Sequence, residues 1–312
     1  MDISVIILTR NTCDQTRDAI QSVLSSSDKF QKEIFVIDNA STDETPALIP
    51  LFFPQIHFHR MDRNLGFARG VNFAAHRCSG DFLLLLNSDA RLAPYALTRA
   101  VDWMHENPRC GIAGAQLLHP DGRQQTSIGR FPTIATELIN QNFLHLVWPG
   151  RYPGRQPHVS APVEVDWVIG AFFLIRREVW NQLNGLDEDF FFYFEEADFC
   201  LRARQVGCSA MYLPQVIVFH GQGRTSQKYY AGARIEFWRS RYHFLDKHYG
   251  YATRLALRIG LPVRLLVDSF FSALLTVVTL GQSPHWRRKC ASHGALLLWH
   301  LRGCPASGGL PR

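Results

Sequence analysis

The chain has no closely spaced cysteines. Its seven cysteines are scattered over 312 residues, and none of them forms a Cys-x-x-Cys pair. A zinc ribbon or a disulfide framework needs such spacing, so neither is expected, and the compartment is predicted to be reducing and cytosolic. Charged residues are also few, at 19% of the chain, whereas 46% are apolar. This composition excludes global disorder and predicts a chain that buries a large core.

The body of the chain also lacks an excess of positive charge, although the net charge of the whole is +6. Residues 251–312 contain eight Lys or Arg against one acid, Asp268, so they carry +7 and residues 1–250 carry −1. A nucleic-acid-binding domain would show a basic stripe, so no nucleic-acid partner is expected. The N-terminal apolar run has no basic lead and no cleavage site, and it is predicted to be a strand and not a signal peptide.

The first 120 residues alternate β-branched runs with helical patterns, which is typical of an α/β sheet with crossover helices. We predict strands at Ile3–Thr9, Glu33–Ile37, Ile56–Arg60, Phe82–Leu86 and Ile112–Gln116. Phe82–Leu86 has no polar alternation, so it is predicted to lie centrally with both faces covered.

Further elements are predicted elsewhere in the chain. The residues from Ser41 to Glu44 have the spacing of a helix capping box. A strand is predicted at Val165–Ile175, a helix near Glu195–Gln205, and two short strands between residues 210 and 219.

Polar residues follow four of the predicted strands. They are Arg10-Asn11, Asp38-Asn39, Asn64-Leu65-Gly66 and Asn87-Ser88-Asp89. The carboxyl ends of parallel strands meet at one edge, where open α/β sheets bind their ligands. The sequence therefore predicts a ligand site in a crevice at this edge.

Three features carry chemistry: Asn87-Ser88-Asp89, the acid cluster of Glu195, Glu196 and Asp198, and His220 at the end of an apolar strand. Taken singly, each also fits a structural role as a turn, a solvated helix start or a strand-end histidine. Together they are complementary. A carboxylate and an imidazole can hold a divalent cation, and a carboxylate cluster can supply a general base.

Seven motifs in order over residues 3–226 resemble those of the family 2 inverting glycosyltransferases, in the rhamnosyltransferase-like branch. They are Ser4–Asn11, Val36–Asp43, Arg63–Asn72, Leu86–Asp89, Asp166–Ala171, Phe192–Asp198 and His220–Ser226. The resemblance implies an α/β fold of the GT-A type, with a Rossmann-like, mostly parallel sheet and flanking helices. It also implies a nucleotide-diphosphate sugar as donor and Mg²⁺ or Mn²⁺ as cofactor.

The resemblance further implies roles for single residues. Asp89 and His220 would bind the metal, and Asp38 would accept a hydrogen bond from the base. The implied substrate-binding set is Thr9, Arg10, Asp38, Asn39, Gly66, Arg69, Asn72, Asn87, Ser88, Trp167, Gly170, Ala171 and Arg224. Two departures from the family pattern stand out. Asn87 replaces the first acid of the D-x-D position, and Glu195-Glu196 replaces the usual Glu-Asp pair.

Glu196 is the predicted catalytic base among the three candidate acids. Successive helical residues point about 100° apart, so the acids cannot all face the acceptor. Asp198 and Arg202 have the spacing of an intrahelical ion pair, and Glu195 shares the side of Asp198. Glu196 is then left to face the cleft, and the family's base aligns with the same position.

We expect a catalytic domain at 1–226, with a nucleotide-binding part at 1–118 and an acceptor and catalytic part at 119–226. A C-terminal helical segment follows at 227–312. Its apolar stretch Leu265–Leu280 is 16 residues long, short of the roughly 20 that span a bilayer. The basic flanks favour an interfacial anchor on an anionic membrane, and a buried helical hairpin is the alternative.

The predicted function is metal-dependent transfer of a sugar to a glycan or lipid-linked acceptor in bacterial surface polysaccharide assembly. The enzyme would be cytoplasmic and peripheral on the inner face of the plasma membrane. Rhamnose from a dTDP donor is the branch's common choice, and galactofuranose or an N-acetylhexosamine from UDP stays open.

Two alternative functions are also open. A sugar nucleotidyltransferase usually has a Gly-rich loop after its first strand, where this chain has Thr9-Arg10-Asn11-Thr12. A non-catalytic nucleotide-sugar-binding protein would need no acid cluster.

Overall fold

The computed structural model describes residues 1–26, 29–139, 141–151, 159–221, 230–306 and 308–311. The strands are β1 (Ile3–Thr9), β2 (Lys32–Asp38), β3 (His57–Arg60), β4 (Phe82–Asn87), β5 (Ala90–Leu92), β6 (Cys110–Leu118), β7 (Ile128–Gly129), β8 (Val163–Val165), β9 (Trp167–Val168), β10 (Phe172–Arg176) and β11 (Ser209–His220). The helices are α1 (Cys13–Leu24), α2 (Thr45–Phe52), α3 (Phe67–Ala75), α4 (Ala96–Glu106), α5 (Ile134–Leu138), α6 (Gln141–Val147), α7 (Arg177–Gln182), α8 (Glu195–Gln205), α9 (Tyr230–His248), α10 (Tyr251–Val278) and α11 (Pro284–Leu301).

Within these residues, nine strands form one sheet in the order β3-β2-β1-β4-β10-β6-β11-β5, with β8 beside β11. Strands β1 to β4 are parallel to one another. Strand β10 is antiparallel to both β4 and β6, so β6 and its parallel neighbour β11 run in the direction of β4. Six of the nine strands thus share one direction. The predicted α/β fold with a mostly parallel sheet is confirmed.

Strand β4 lies between β1 and β10 at the centre of this sheet. Its side chains alternate between two apolar layers, with Leu84 and Leu86 in one layer and Leu83 and Leu85 in the other. The prediction of a strand covered on both faces is therefore confirmed. The shared direction of β1, β2 and β4 brings the loops that follow them to one edge of the sheet.

The capping box predicted from Ser41 to Glu44 is wrong. Helix α2 begins at Thr45, and its N-cap residue Glu44 makes no side-chain cap. The Ser41 hydroxyl instead accepts a hydrogen bond from the backbone N–H of Asn11 at 2.9 Å, and the Ser41 N–H donates to Asp38 at 3.1 Å. These polar residues join the loops after β1 and β2.

The single strand predicted at Val165–Ile175 is three short strands, β8, β9 and β10. Asp166 interrupts the first pair because its carboxylate accepts from the Phe131 N–H at 3.0 Å and contacts Arg204 at 3.0 Å. A turn at residues 169–171 separates β9 from β10. The two short strands predicted between residues 210 and 219 are one strand, β11, whose register shifts near its middle.

Helix α10 corrects the predicted length of the apolar C-terminal segment. It runs for 28 residues and continues through Pro262, so it is about 42 Å long. In the described part of the chain, it is the one helix long and apolar enough to cross a membrane. The expectation that Leu265–Leu280 is too short to span is wrong, because the helix extends well before Arg264.

The two faces of α10 differ. An apolar cluster joins α9, α10 and α11, and it consists of Trp238, Leu245, Leu257, Leu261, Leu265, Leu296 and Trp299. The opposite face of α10 exposes large apolar side chains, including Ile259, Val263, Phe270 and Val277. One face of α10 is therefore buried, as the hairpin alternative expects. The other face is an exposed apolar surface.

Candidate active site

The loop after β4 and the end of β11 bring the two predicted metal ligands together. Asp89 Oδ1 lies 3.2 Å from His220 Nε2. The backbone N–H of Gly221 donates to the Asp89 carbonyl at 2.8 Å, which holds the two segments in place. Residues 131 positions apart in the sequence therefore form one site at the sheet edge.

Gln125 determines which nitrogen of His220 carries the proton. The Gln125 amide nitrogen donates to the His220 carbonyl at 2.6 Å, so its Oε1, 3.0 Å from His220 Nδ1, is an acceptor. Nδ1 thus carries the proton that Gln125 accepts, and Nε2 is the nitrogen that faces Asp89. A carboxylate oxygen and an imidazole nitrogen at 3.2 Å share either a proton or a cation. The donor set fits a divalent ion such as Mg²⁺ or Mn²⁺.

Asn87 and Ser88 lie in the same loop as Asp89. The Asn87 amide nitrogen is 3.5 Å from His220 Nε2, and Ser88 Oγ accepts from the Thr12 hydroxyl at 3.1 Å. Asn87 thus replaces an acid without leaving the site, because its side chain still reaches the imidazole.

Helix α8 begins at Glu195, as predicted. Glu195 is only 3% exposed, and its Oε2 has no hydrogen-bond partner in the described residues. Burial and the neighbouring Glu196 carboxylate raise the pKa of Glu195 well above its ordinary value. Burial also raises the pKa of Glu196, whose side chain is half-buried. This pair has the environment of a general base.

Gly170 and Ala171 join the acid pair to the loop that carries Asp89. The Gly170 N–H donates to Glu196 Oε1 at 3.1 Å, and the Ala171 carbonyl accepts from the Asn87 N–H at 3.3 Å. A Cβ at Gly170 would lie 2.1 Å from Glu196 Oε1, so only glycine leaves room for this carboxylate. Two successive residues therefore set the position of Glu196 relative to the loop that carries Asp89.

Asp198 is engaged in ion pairs. The predicted contact with Arg202 is confirmed at 2.8 Å, and the Asp198 carboxylate also lies 2.7 Å from both His248 and Lys247. Burial acts to raise its pKa, but the hydrogen bond from His248 and the charges of Arg202 and Lys247 outweigh burial and lower the pKa to about 2. Such a weak base is unsuited to take a proton from a hydroxyl near neutral pH.

Asp38 presents an unsatisfied carboxylate oxygen at the end of β2. The side chain is fully buried, Oδ1 accepts from the Ser41 N–H, and Oδ2 has no hydrogen-bond partner in the described residues. Arg60 lies 3.7 Å away, and burial raises the pKa of Asp38. A buried acceptor without a donor is suited to a ligand N–H.

Arg10 lies at the same edge and contacts the C-terminal end of the chain. Its guanidinium donates to the Pro311 carbonyl at 2.8 Å, and Asn64 donates to the same carbonyl at 2.5 Å. Arg10 and Asn64, from the loops after β1 and β3, therefore meet at one backbone carbonyl at this edge of the sheet.

Asn39 and Gly66 lock the loop after β3. Asn39 donates to the Gly66 carbonyl at 3.1 Å and accepts from the Leu65 N–H at 2.7 Å. Gly66 has a φ of +80°, and a Cβ there would lie 2.5 Å from the Phe191 carbonyl. The loop is thus held between β2 and the segment that leads into α8.

The side chains of Thr9, Asn72 and Arg69 contact other residues of the protein. The buried Thr9 hydroxyl lies 2.6 Å from that of Thr16. Asn72 binds both backbone groups of Leu186, and the half-exposed Arg69 lies 3.6 Å from Glu188. In this structure they support the loops around the crevice.

Trp167 packs against Gly129, where a Cβ would meet the indole ring at 2.0 Å. Its indole nitrogen is buried and has no hydrogen-bond partner in the described ranges. Arg224, predicted at the diphosphate, lies outside the described residues.

A family match decides what kind of site this is. The family described as Glycosyl transferase family 2 matches residues 4–183, more than half of the chain. The chain belongs to glycosyl transferase family 2. This protein is a glycosyltransferase, and the alternatives of a nucleotidyltransferase and a non-catalytic binding protein are not supported.

Relatives agree with the rhamnosyltransferase-like branch. The chain is 27% identical over 261 residues to the N-acetylglucosaminyl-diphospho-decaprenol L-rhamnosyltransferase of Mycobacterium tuberculosis, covering 77% of this chain and 84% of the relative. It is 23% identical over 169 residues to the rhamnosyltransferase WbbL of Escherichia coli, covering 54% and 62%.

The fold of this glycosyltransferase is also found in a solved structure. The mannosyltransferase PcManGT from Pyrobaculum calidifontis, in complex with GDP-Man and Mn²⁺, aligns with a TM-score of 0.55 at 16% identity. The alignment covers 96% of this chain and 86% of that one. The predicted GT-A fold is therefore confirmed.

A second group of possible metal ligands in this glycosyltransferase consists of Asp187, Asp189 and His243, whose ligand atoms lie within 4.8 Å of one another. Lys247 Nζ lies 2.5 Å from Asp187 Oδ2. This carboxylate is already paired with a cation, so we assign the group no role in the reaction.

Sequence reasoning missed Gln125, Lys247 and His248. Gln125 orients the proposed metal ligand His220, and the other two contact Asp198 from a distant helix. None of them lies in one of the seven motifs. No local signal in the sequence marks them.

Proposed function

We propose that this glycosyltransferase is metal-dependent and inverting, and that it transfers a sugar from a nucleotide-diphosphate donor to a glycan or lipid-linked acceptor. The setting would be assembly of a bacterial surface polysaccharide. The observation that carries this proposal is the Gly170–Ala171 turn, which ties the Glu196 carboxylate to the loop of Asp89. The proposed base and the proposed metal ligand are thereby held at fixed positions relative to each other.

The donor would bind along the edge formed by β1 and β2. Asp38 Oδ2 would accept the imide N–H of a uracil or thymine base, and Arg10 would face the phosphates. A diphosphate at Arg10 displaces the Pro311 carbonyl that the guanidinium contacts. Arg224 remains our candidate for a further diphosphate contact. Rhamnose from dTDP is the donor we expect first, because two relatives are named rhamnosyltransferases.

Asp89 and His220 would hold Mg²⁺ or Mn²⁺ at the diphosphate. A bound ion neutralises the charge that develops on the leaving diphosphate. His220 serves as a neutral ligand because Gln125 keeps the proton on Nδ1. Asn87 stands where the family pattern has an acid, so Asp89 supplies the one carboxylate of the segment Asn87-Ser88-Asp89. Metal binding would therefore depend on Asp89.

Glu196 would take the proton of the acceptor hydroxyl. Its Oε1 is held by the Gly170 N–H, and Oε2 would receive the proton. The hydroxyl oxygen bonds to the anomeric carbon while the bond to the diphosphate oxygen breaks on the opposite face, which inverts the configuration. Burial raises the pKa of Glu196 and makes it a stronger base near neutral pH. Trp167, Gly170 and Ala171 would separate donor sugar from acceptor.

We propose that residues 1–226 form the catalytic domain and that 227–312 bind the enzyme to the inner face of the plasma membrane. The exposed apolar face of α10 and the basic residues of the tail suit an anionic bilayer surface. Peripheral binding, and not spanning, is favoured because Leu257, Leu261 and Leu265 hold α10 against its neighbours.

A thermal-shift screen of nucleotide sugars tests the donor. dTDP-rhamnose, UDP-galactofuranose and UDP-N-acetylglucosamine are compared with Mn²⁺ and with EDTA. A true donor at a hundredfold excess over Kd stabilises the protein by about 2.7 kcal/mol, and EDTA should remove this gain. Transfer from the stabilising donor to a diphospholipid acceptor then tests the reaction. Equal stabilisation in EDTA, or binding with no transfer to any acceptor, would refute the proposal.

A further inference from the structure

The helix α9 contacts the catalytic helix α8 at a buried carboxylate. Asp198 has no exposed surface and lies two residues after Glu196. Its Oδ1 lies 2.7 Å from His248 Nε2 and 2.7 Å from Lys247 Nζ, and its Oδ2 accepts from Arg202 at 2.8 Å. Two of the three partners thus come from the last turn of α9, about 50 positions along the chain.

The same helix holds the segment just before the acid pair. Tyr193 and Phe194 have φ values of 73° and 69°, a left-handed conformation that non-glycine residues keep only when their surroundings enforce it. Ser240 of α9 donates to the Phe192 carbonyl at 2.8 Å. The Phe194 ring lies 5.4 Å from that of Phe244, also in α9. Helix α9 therefore contacts α8 and its lead-in on both sides of Glu195 and Glu196, at the backbone of Phe192 before them and at the side chain of Asp198 after them.

We propose that α9 is a positioning element for the catalytic base, and that His248 is its principal residue. By holding Asp198, His248 sets the rotation and depth of the first turn of α8, and this turn directs Glu196 onto the Gly170 N–H. His248 does not contact the substrate; it acts through Asp198. The inference rests on the proposed role of Glu196. A misplacement of about 1 Å at a reacting group can lower turnover by about a hundredfold.

His248 is a better residue to test than Lys247. Lys247 also pairs with Asp187 at 2.5 Å, so its removal would disturb two sites. His248 is 5% exposed at its side chain and packs on Phe244 at 4.7 Å. His243 provides a control on the same helix, because it packs on Phe190 at 4.6 Å and contacts Asp187 at 3.4 Å, with no contact to Asp198 among the described contacts, so its loss reports the Asp187 side of α9 alone.

The experiment compares His248→Ala, His248→Gln and His243→Ala in the full chain. We expect His248→Ala to lower kcat by about tenfold to a hundredfold with little change in the KM of the donor. His248→Gln should restore much of kcat, because its amide can donate to Asp198, and His243→Ala should keep kcat within about threefold. Equal losses for His248→Ala and His243→Ala, or a loss in donor KM alone, would overturn the proposal.

A double variant separates this inference from the proposed base. In Glu196→Gln protein, where turnover has already been lost, adding His248→Ala should lower kcat no further, because both changes act on the same group. If the double variant instead loses kcat by the product of the two single losses, the two residues act independently and the positioning role is overturned. Normal turnover of Glu196→Gln alone would instead refute the proposed base, whatever His248 does. Should His248→Ala not fold, His248→Leu, which keeps most of the side-chain volume but cannot donate to Asp198, takes its place in the kinetics and in the cycle.

Discussion

The carboxyl edge of the sheet and the region around the C-terminal helices hold their acids in opposite ways. At the sheet edge, Asp38 Oδ2 and Glu195 Oε2 are buried with no hydrogen-bond partner in the described chain, and Asp89 Oδ1 faces His220 Nε2. Arg60 lies 3.7 Å from Asp38 Oδ2, beyond hydrogen-bond distance. Around the C-terminal helices the acids contact cations directly, as in Glu137 with Arg241 and Asp187 with Lys247. The named acids of the first region thus have no Lys or Arg at hydrogen-bond distance among the described residues, and those of the second region have one.

The difference indicates where ligands act. A buried carboxylate without a partner destabilises the fold, so it is kept where a ligand N–H, a metal ion or a transferred proton completes it. A paired carboxylate gains nothing from a ligand and instead fixes two segments together. Glu196 and Asp198 differ in this way within one helical turn, because the Glu196 carboxylate is held by backbone N–H groups, whereas that of Asp198 lies against Arg202, Lys247 and His248.

The largest expected effect is at Glu196. Glu196→Gln should lower turnover by about a hundredfold or more with donor affinity retained, because the proton acceptor is lost. In the native enzyme kcat should rise with pH, since the ionised form is active, with a midpoint above the ordinary glutamate pKa because burial raises it. Glu195→Gln is the comparison variant. If Glu195→Gln is inactive while Glu196→Gln has normal turnover, Glu195 and not Glu196 is the catalytic base.

The metal pair should show the next largest effect. Asp89→Asn and His220→Ala should each weaken Mn²⁺-dependent donor binding by about tenfold or more, because each removes a proposed ligand. Titration calorimetry with Mn²⁺ and donor measures this loss. His76→Ala and Asp18→Asn are the controls, because both side chains are exposed, His76 just after α3 and Asp18 within α1. Native-like metal dependence in Asp89→Asn would contradict the assignment.

The ion pairs of Asp198 predict that the free energy of unfolding depends on pH. The folded-state pKa of Asp198, about 2, lies below its ordinary value of 3.8. Its pairing therefore stabilises the fold fully above pH 4, by about 2 kcal/mol, and the gain is lost as pH falls through about 2. Urea unfolding of Asp198→Asn at pH 7 and at pH 3 should show a difference from native protein that shrinks at the lower pH.

Asp246 provides the control for that measurement, because its pair with Arg258 is on the same side of the molecule and more exposed. Asp246→Asn should change stability by less than about 1 kcal/mol at either pH. A constant difference for Asp198→Asn across this pH range would mean that its ion pairs do not control its stability effect.

The smallest expected effect concerns the apolar face of α10. Ile259 and Phe270 are 60% and 65% exposed, and replacing both by Ser should weaken binding to anionic vesicles by about tenfold. Leu51 and Phe52, 70% and 50% exposed on α2, give a matched double replacement that should bind as the native protein does. Vesicle co-sedimentation measures both. Equal binding by all three proteins would place the membrane contact elsewhere.

The catalytic motifs were readable from the sequence because they are local. The strand Phe82–Leu86, the acid at Asp89 and the start of α8 at Glu195 each depend on residues adjacent in the chain, and all three are found where they were expected. The length of α10 was misjudged for the same reason. The apolar run that was counted from the sequence stops at Arg264. The helix itself continues through Arg264 and Arg258, because its other face is packed against neighbouring helices.

The sequence by itself determined the fold class, the edge of the sheet where the site lies, and the types of side chain that meet there. It did so because hydrophobic periodicity and strand-end loops are local patterns. Only the tertiary structure decided that Gln125 orients His220, that the Gly170–Ala171 turn joins Glu196 to the loop of Asp89, and that His248 contacts Asp198. These contacts join residues 26 to 95 positions apart. Their geometry depends on how separate elements pack, which no short pattern of residues records.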